Sequence, residues 1–184
     1  MARDVTGEIL EIYAAVGPDA YFGERVSMTE HALQTAHFAV QAGAAQALVL
    51  AALLHDIGHL LERLPADLGD WTADAHHETL GARWLAERFA HEISEPVRLH
   101  VAAKRYLCAT DPGYFAKLSS ASVHTLRLQG GPMPAAEVAQ FERERYFREA
   151  VQVRRWDDEG KVAGLPTAPL ESYTGLMARF ARSR

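Results

Sequence analysis

The feature that most constrains the fold is an apolar segment that leads directly into polar residues. Residues 44–54 read AAQALVLAALL, and HDIGH follows at once, with His55, Asp56 and His59. A segment this apolar belongs in a protein core, where an unpaired buried charge is strongly destabilising. The aspartate and the histidines therefore need a compensating partner, and a metal ion is one candidate.

Length and composition indicate one globular domain over residues 1–184. The chain is 48% hydrophobic and 23% charged, with a single cysteine, Cys108, which excludes an internal disulfide. Residues 44–54 fall short of the roughly 20 residues that cross a bilayer, and the first residues lack a signal-peptide core, so we expect a cytoplasmic protein with no membrane partner. The net charge of -5 argues against a nucleic-acid partner but leaves room for a local anion pocket.

Apolar residues recur at helical spacing along most of the chain, so the expected fold class is all-α, a single helical bundle. Ser27 and Glu30 form a capping box for the second helix, and Ser94 with Pro96 is expected to begin the fifth. The third helix is expected to run through HDIGH without a break. The expected helices are 4–16, 28–42, the third to about 61, 75–89, the fifth from 94, 117–128, 134–155 and 170–182.

Histidines and aspartates on several of these helices can meet at the bundle centre. His31 lies midway along the helix before His55, and short connections make consecutive helices antiparallel neighbours, so the two rings can face each other. Imidazole and carboxylate without thiolate suit iron, manganese or zinc, and six ligands with one shared aspartate suit two metals better than one. The six candidate ligands are His31, His55, Asp56, His77, His100 and Asp157.

Two of these assignments have competing neighbours. His76 adjoins His77, and turning the apolar residues of that helix inward favours His77. Asp158 competes with Asp157 in the same way, and the periodicity does not decide between them. A lone histidine is more often a hydrogen-bonded core or surface residue than a ligand. No role is assigned to His37, His76, His91 or His124.

These residues and several longer motifs carry a family resemblance. The order of His31, the His55-Asp56 pair and Asp157 resembles the HD-domain superfamily, whose members are mostly helical metal-dependent phosphohydrolases. The motifs that narrow the choice are YFGE (21–24), EHALQ (30–34), LAALLHDIGH, HVAAKRYL (100–107), LQGGPM (128–133) and WDDEGK (156–161). They are similar to the HD-domain mixed-valent diiron oxygenases of the PhnZ and TmpB type, which cleave carbon–phosphorus bonds.

The resemblance implies a cofactor, a reaction and a ligand set. A mixed-valent Fe(II)/Fe(III) pair would be bridged by Asp56 and held by the other five candidate ligands. It also favours His77, which precedes a glutamate, and Asp157, which follows a tryptophan. The implied reaction consumes O2 and cleaves a small organophosphonate, a 1-hydroxy-2-(amino or trimethylammonio)ethylphosphonate, into phosphate and glycine or glycine betaine. Which substituent the amine carries is left open.

Polar residues beside the candidate ligands suit such a substrate. His59 and Lys104 each follow a candidate ligand by one helical turn on the same face, and a cation suits a phosphonate dianion. By resemblance, the catalytic residues are His59, Tyr21 and Lys104. Tyr21 would occupy the substrate's position on iron in the empty enzyme and swing away with Glu24. The implied substrate contacts are Tyr21, Glu24, His59, Lys104, Ser122 and Gln129.

The alternative function is a conventional HD-family phosphohydrolase that acts on a nucleotide or another phosphate ester. It would use the same histidine–aspartate core, with a metal-bound hydroxide attacking phosphorus. Phosphate-ester hydrolysis does not require Tyr21, Glu24, Lys104 and Gln129 as a set, so their joint presence favours the oxygenase.

Overall fold

A computed structural model describes residues 4–21, 23–62 and 76–182, and these form an all-α bundle without an assigned strand in those ranges. The all-α prediction is confirmed. None of the described helices combines the length and apolarity needed to span a membrane. The helices are α1 Val5–Val16, α2 Met28–Gln41, α3 Gln46–Leu54, α4 Ile57–Glu62, α5 His77–Ala86, α6 His91–Thr110, α7 Ser120–Leu128, α8 Ala135–Phe141, α9 Phe147–Glu159 and α10 Thr174–Phe180, with short 3-10 helices at Phe115–Lys117 and Leu170–Tyr173.

The apolar helix α3 lies at the centre of the bundle. Its residues from Leu48 to Leu54 are all buried, because α2, α6 and α9 pack around it. Helix α6 also packs against α5, and α5 against α4. The histidines of α2, α5 and α6 are thereby brought to the end of α3, where the apolar segment stops.

The prediction of an unbroken third helix is wrong. Helix α3 ends at Leu54 and α4 begins at Ile57, with His55 and Asp56 in the turn between them. The His59 amide donates to the Asp56 carbonyl three residues back, at 3.0 Å, which is a tighter turn than an α-helix. Adjacent side chains of a regular helix point about 100° apart, whereas this turn lets His55 and Asp56 face the same cavity.

Other helix boundaries also differ from the sequence predictions. The helix predicted at 117–128 begins at Ser120, and the one predicted at 170–182 consists of the 3-10 helix Leu170–Tyr173 followed by α10. Ser94 is not a cap: α6 begins at His91 after Ala90, because the added turn buries Ile93 completely in the core. The predicted helix 134–155 is split into α8 and α9, which lets Phe141 and Phe147 pack against each other. The helix predicted from 75 begins at His77, and residue 75 lies outside the described residues.

Helices α4 and α5 approach so closely that only glycine fits between them. A Cβ atom on Gly58 would lie 2.0 Å from the carbonyl oxygen of His77, and Gly81 faces Gly58 from α5. The close approach of α4 and α5 fixes the position of His77 relative to the turn after α3.

The capping box of Ser27 and Glu30 is present at the start of α2, as predicted.

Candidate metal centre

Two pairs of buried histidines flank the Asp56 carboxylate. The Nε2 atoms of His31 and His55 are 3.1 Å apart, and those of His77 and His100 are 3.2 Å apart. Asp56 Oδ2 lies 3.5 Å and 3.3 Å from the first pair, and Oδ1 lies 3.4 Å from each Nε2 of the second pair. One carboxylate therefore faces two separate groups of imidazole nitrogens.

The other nitrogen of three of these rings determines the tautomer. In each of them Nδ1 lies 2.7–2.8 Å from a backbone carbonyl oxygen, which can only accept, so Nδ1 carries the proton. The neutral Nε2 atoms are then acceptors, and they point at one another and at a carboxylate. Acceptors at this spacing repel unless a cation lies between them, so the donor set fits metal ions. The pairs are His31 with Gly160, His55 with Ala52 and His100 with Val97.

Asp157, in the last turn of α9, completes the first group. Its Oδ1 lies 3.4 Å from His31 Nε2, is buried, and has no hydrogen-bond partner among the described residues. Ligand atoms of His31, His55 and Asp157 all lie within 4.8 Å of one another, and so do those of Asp56, His59 and His77. These distances suit two neighbouring metal positions, and His59 lies beside the second.

Both aspartates are held in the anionic form. Burial raises the pKa of Asp56, but the electrostatic interaction with His55 and the contacts with the surrounding imidazoles outweigh it and hold the pKa well below the usual range. For Asp157, the charges of Arg154 and Lys161 outweigh burial and lower the pKa strongly. Two carboxylates that stay ionised in a dry site supply the negative charge that a metal pair requires.

Two aromatic rings stack on histidines of the cluster. The Tyr21 hydroxyl donates to Asp56 Oδ2 at 2.7 Å, and the Tyr21 ring stacks on His31 at 3.9 Å between centroids. Burial and then the charge of Asp56 raise the pKa of Tyr21 well above its usual value, so the phenol stays neutral. His59 stacks on His77 at 3.7 Å, and burial, reinforced by His77, lowers the pKa of His59 well below its usual value.

Three cationic side chains surround the hydroxyls of α7 beside this cluster. Lys104 is buried and donates to the Thr125 hydroxyl at 2.8 Å. The Ser122 hydroxyl lies 3.4 Å from Arg154 Nη2 and 3.1 Å from Lys161 Nζ. Burial and then the charge of Arg154 lower the pKa of Lys104 to about 7. Arg154 and Lys161 also pair with Asp157 and Asp158. Together with Lys104 and the hydroxyls of α7, they supply several donors suited to an anion such as a phosphonate.

Two predicted substrate contacts lie at the edge of the described site. Glu24 is half-buried; its amide donates to the Tyr21 carbonyl at 2.7 Å, and its Oε1 is buried without a hydrogen-bond partner in the described part of the chain. Gln129 ends α7 and lines a cavity of about 380 Å³ together with Glu78. Neither side chain makes a hydrogen bond to the six clustered residues.

The structure shows which residue of each ambiguous adjacent pair faces the cluster. His77 points into the cluster and His76 points to the surface. Asp157 faces His31, whereas Asp158 binds Arg154 and the Tyr114 hydroxyl. Arg154, Lys161 and Glu78 were not among the site residues predicted from the sequence. Arg154 lies at i-3 from Asp157 on α9, so the helical face that carries a candidate ligand was the available signal for it. Lys161 follows the end of α9, where helical spacing gives no such signal.

Comparison with known proteins agrees with this geometry. The HD domain family matches residues 28–157. The chain is 44% identical over 178 residues to a [1-hydroxy-2-(trimethylamino)ethyl]phosphonate dioxygenase (glycine-betaine-forming) of Leisingera caerulea, covering 95% of this chain and 91% of the relative. It is 46% identical over 155 residues to a hydroxymethylphosphonate dioxygenase of Gimesia maris, covering 84% and 77%. The chain therefore belongs to the HD-domain family and, within it, to the group of phosphonate dioxygenases.

Proposed function

We propose that this protein uses O2 to cleave the carbon–phosphorus bond of a 1-hydroxy-2-(amino or trimethylammonio)ethylphosphonate, giving phosphate and glycine or glycine betaine. The observation that carries the proposal is the position of Asp56 between two pairs of imidazole acceptors, because a shared carboxylate suits a metal pair. The names of the two relatives, both phosphonate dioxygenases, support the reaction.

Two irons are the proposed cofactor. His31, His55 and Asp157 would hold one, His77 and His100 the other, and Asp56 would bridge them. A mixed-valent Fe(II)/Fe(III) pair bound there would supply the redox chemistry that O2 activation needs. The ring tautomers support these roles, since the Nδ1–carbonyl contacts leave the Nε2 lone pairs directed at the proposed metal positions.

The phosphonate would bind at the cationic pocket of α6, α7 and α9. Lys104, Ser122 and Gln129 are the proposed contacts, and Arg154 and Lys161 add positive charge around the Ser122 hydroxyl. Arg154 and Lys161 also bind Asp157, at 2.8 Å and 3.5 Å, so the pocket and the metal cluster share a wall. A phosphonate bound there would hold its hydroxylated carbon beside the metal pair.

Tyr21, Glu24 and His59 would prepare the site for the substrate. The Tyr21 hydroxyl already occupies a position against Asp56, where it would compete with an incoming ligand. Glu24 adjoins Tyr21 through a backbone hydrogen bond, so a substrate cation that draws in the Glu24 carboxylate can also move Tyr21. His59, kept neutral by burial, can hold a proton-accepting nitrogen beside the second metal position.

We also propose that residues 1–184 form one domain that acts in the cytoplasm on a small molecule. Helices α1 and α10 lie outside the matched family region, yet α1 packs against α4 and α10 packs against α3. These contacts attach both terminal helices to the core that carries the site.

Metal analysis tests the cofactor. Protein produced with iron should hold close to two irons per chain, because Asp56 presents one oxygen to each of two separate pairs of imidazole nitrogens. His77→Ala should lose one of the two and keep the other. A single tightly bound metal that is unchanged by His77→Ala would contradict the dimetal proposal.

Oxygen dependence tests the reaction. Phosphate release from 1-hydroxy-2-aminoethylphosphonate, its trimethylammonio analogue or hydroxymethylphosphonate should stop without O2, because hydrolysis by a metal-bound hydroxide needs only water. Oxygen uptake and phosphate release should occur in equal amounts. Equal turnover with and without O2 would instead assign the protein to the phosphohydrolases.

A further inference from the structure

One of the four clustered histidines differs from the others in what its Nδ1 atom faces. In three of them Nδ1 donates to a backbone carbonyl, whereas His77 Nδ1 lies 3.6 Å from Oε2 of Glu78. We propose that Glu78 is a positioning residue that makes the two metal positions electronically unequal, favouring the higher oxidation state at the His77 and His100 position. This inference rests on the proposed dimetal function.

Most of the Glu78 side chain is shielded from water. It is 9% exposed, and its Oε2 is buried with no hydrogen-bond partner among the described residues. Its other oxygen, Oε1, lies 3.6 Å from the exposed ring of His76, the one described non-glycine residue with a positive φ, 54°. Burying a carboxylate costs free energy, so a buried carboxylate beside a candidate metal ligand is itself a candidate functional residue.

A carboxylate and a carbonyl act differently on an imidazole. Both can accept a hydrogen bond from Nδ1–H, but the charged carboxylate attracts the proton more strongly and makes Nε2 the stronger electron donor. A stronger donor stabilises a metal of higher positive charge. When a metal draws electron density from Nε2, the Nδ1 proton becomes more acidic, so we expect the 3.6 Å separation to shorten.

The surroundings of the two positions reinforce this asymmetry. The first position has the additional carboxylate Asp157, which by charge alone favours a ferric ion there. That carboxylate, however, lies 2.8 Å from Arg154 and 3.5 Å from Lys161. Both cations also bind Asp158, so the two cations and two carboxylates together carry no net charge. Behind His77, the neighbour among the described residues is the Glu78 carboxylate. The groups around the ligands therefore favour Fe(II) at the first position and Fe(III) at the second.

Zinc titration of the metal-free full-length protein separates the two positions without using turnover. Calorimetry should resolve two binding events, of which His77→Ala abolishes one and Asp157→Ala the other. Glu78→Ala should weaken the His77-dependent event by about 10–100-fold and leave the other within about twofold. Glu137→Gln is the matched control, since that exposed carboxylate binds Arg105 on α6 and should change neither event.

Iron-loaded protein tests the effect of charge. Glu78→Gln keeps an acceptor oxygen near Nδ1 but removes the negative charge. The couple between the mixed-valent and the diferrous forms can be followed by electron paramagnetic resonance in a redox titration. In Glu78→Gln this couple should shift to more positive potential, so that less mixed-valent signal remains at a fixed potential near its midpoint. Glu137→Gln should titrate as the parent does.

Two results would overturn the inference. In the first, Glu78→Ala and Glu78→Gln keep both zinc affinities and the parental redox titration. In the second, Glu78→Ala weakens both zinc events equally, which would indicate damage to the fold instead of an effect on one ligand. If the parent protein shows no phosphonate-dependent oxygen uptake, the proposed function is refuted, but the metal measurements can still be interpreted.

Discussion

The Tyr21 hydroxyl donates to Asp56 Oδ2 at 2.7 Å, and the same oxygen lies 3.3 Å from His55 Nε2. A side chain from the loop before α2 thus reaches the carboxylate proposed to bridge two metals. Because burial raises the pKa of Tyr21 well above its usual value, this contact is a neutral phenol donating to an anion. A neutral donor of this kind can be displaced more readily than a phenolate bound to metal.

Replacing this phenol should uncouple oxygen use from substrate. A hydrogen bond to a charged group contributes about 1.5–3 kcal/mol, so Tyr21→Phe should raise the open fraction of the site by about tenfold or more. We expect faster oxygen uptake without substrate and less phosphate per oxygen consumed, while iron content stays unchanged. Tyr106→Phe is the control, since that partly exposed phenol binds Glu142. Unchanged uptake in Tyr21→Phe would exclude a gating role.

The pH profile should report the charge of Lys104. Burial and Arg154 lower its pKa to about 7, and bound metal cations would act in the same direction. The lysine loses its proton as pH rises through this value, so kcat/KM for a phosphonate should fall on the alkaline side of about pH 7. Lys104→Arg should lack this limb because arginine stays charged. A limb that persists in Lys104→Arg would belong to another group.

The contribution of Lys104 to stability should rise with pH, whereas its contribution to kcat/KM should fall. The unfolded lysine keeps its proton to about pH 10.4, whereas the folded one loses it near 7, so the unfolded chain binds more protons between these values. The contribution of Lys104 to the free energy of unfolding therefore rises with pH in that window. Chemical denaturation of the parent and of Lys104→Met at several pH values measures the difference, and parallel curves would contradict the lowered pKa.

The fold and much of the metal cluster follow from local patterns in the sequence. A capping box and helical spacing predict α2, and antiparallel packing brings His31, in the first turn of that helix, to His55. The break between α3 and α4 could not be predicted in this way. Leucine and alanine favour a continuous helix, and the turn appears only because acceptors from other helices converge on His55 and Asp56.

Only part of the cationic pocket could be predicted from the sequence, for a similar reason. Lys104 shares a helical face with His100, so spacing alone relates them. Arg154 contacts Ser122 across 32 residues of sequence, and Lys161 does so across 39, which only the tertiary packing of α7 against the end of α9 brings about. Glu78 was hidden because it adjoins His77 in sequence, and adjacent helical residues ordinarily point apart.

A methyl group at the contact between α4 and α5 should disturb one metal position selectively. The Cβ of Gly58→Ala would lie 2.0 Å from the His77 carbonyl oxygen, so α5 must move. Overpacking of this kind costs about 1–3 kcal/mol of stability, and the His77-dependent zinc event should weaken by about tenfold or more. Gly7→Ala in α1 is the control, because nothing lies within 4 Å of its added methyl group. Equal zinc binding in Gly58→Ala and the parent would show that α5 can accommodate the methyl group.

Substrate choice should depend on the charge of Glu24. Its buried Oε1 lacks a hydrogen-bond partner among the described residues, and a carboxylate beside a substrate ammonium contributes about 1.5–3 kcal/mol. Glu24→Gln should therefore raise KM for 1-hydroxy-2-aminoethylphosphonate or its trimethylammonio analogue by about tenfold or more, at roughly 1.4 kcal/mol per decade.

Hydroxymethylphosphonate is the matched control for Glu24 because it has no nitrogen and cannot use the carboxylate. Its KM should change little in Glu24→Gln, and iron content should stay the same, since Glu24 is not among the proposed metal ligands. The preference for the cationic substrates over hydroxymethylphosphonate should then fall by the same factor of about ten or more. If Glu24→Gln processes both kinds of substrate in the parental ratio, the carboxylate does not recognise the nitrogen, and the specificity must come from elsewhere in the pocket.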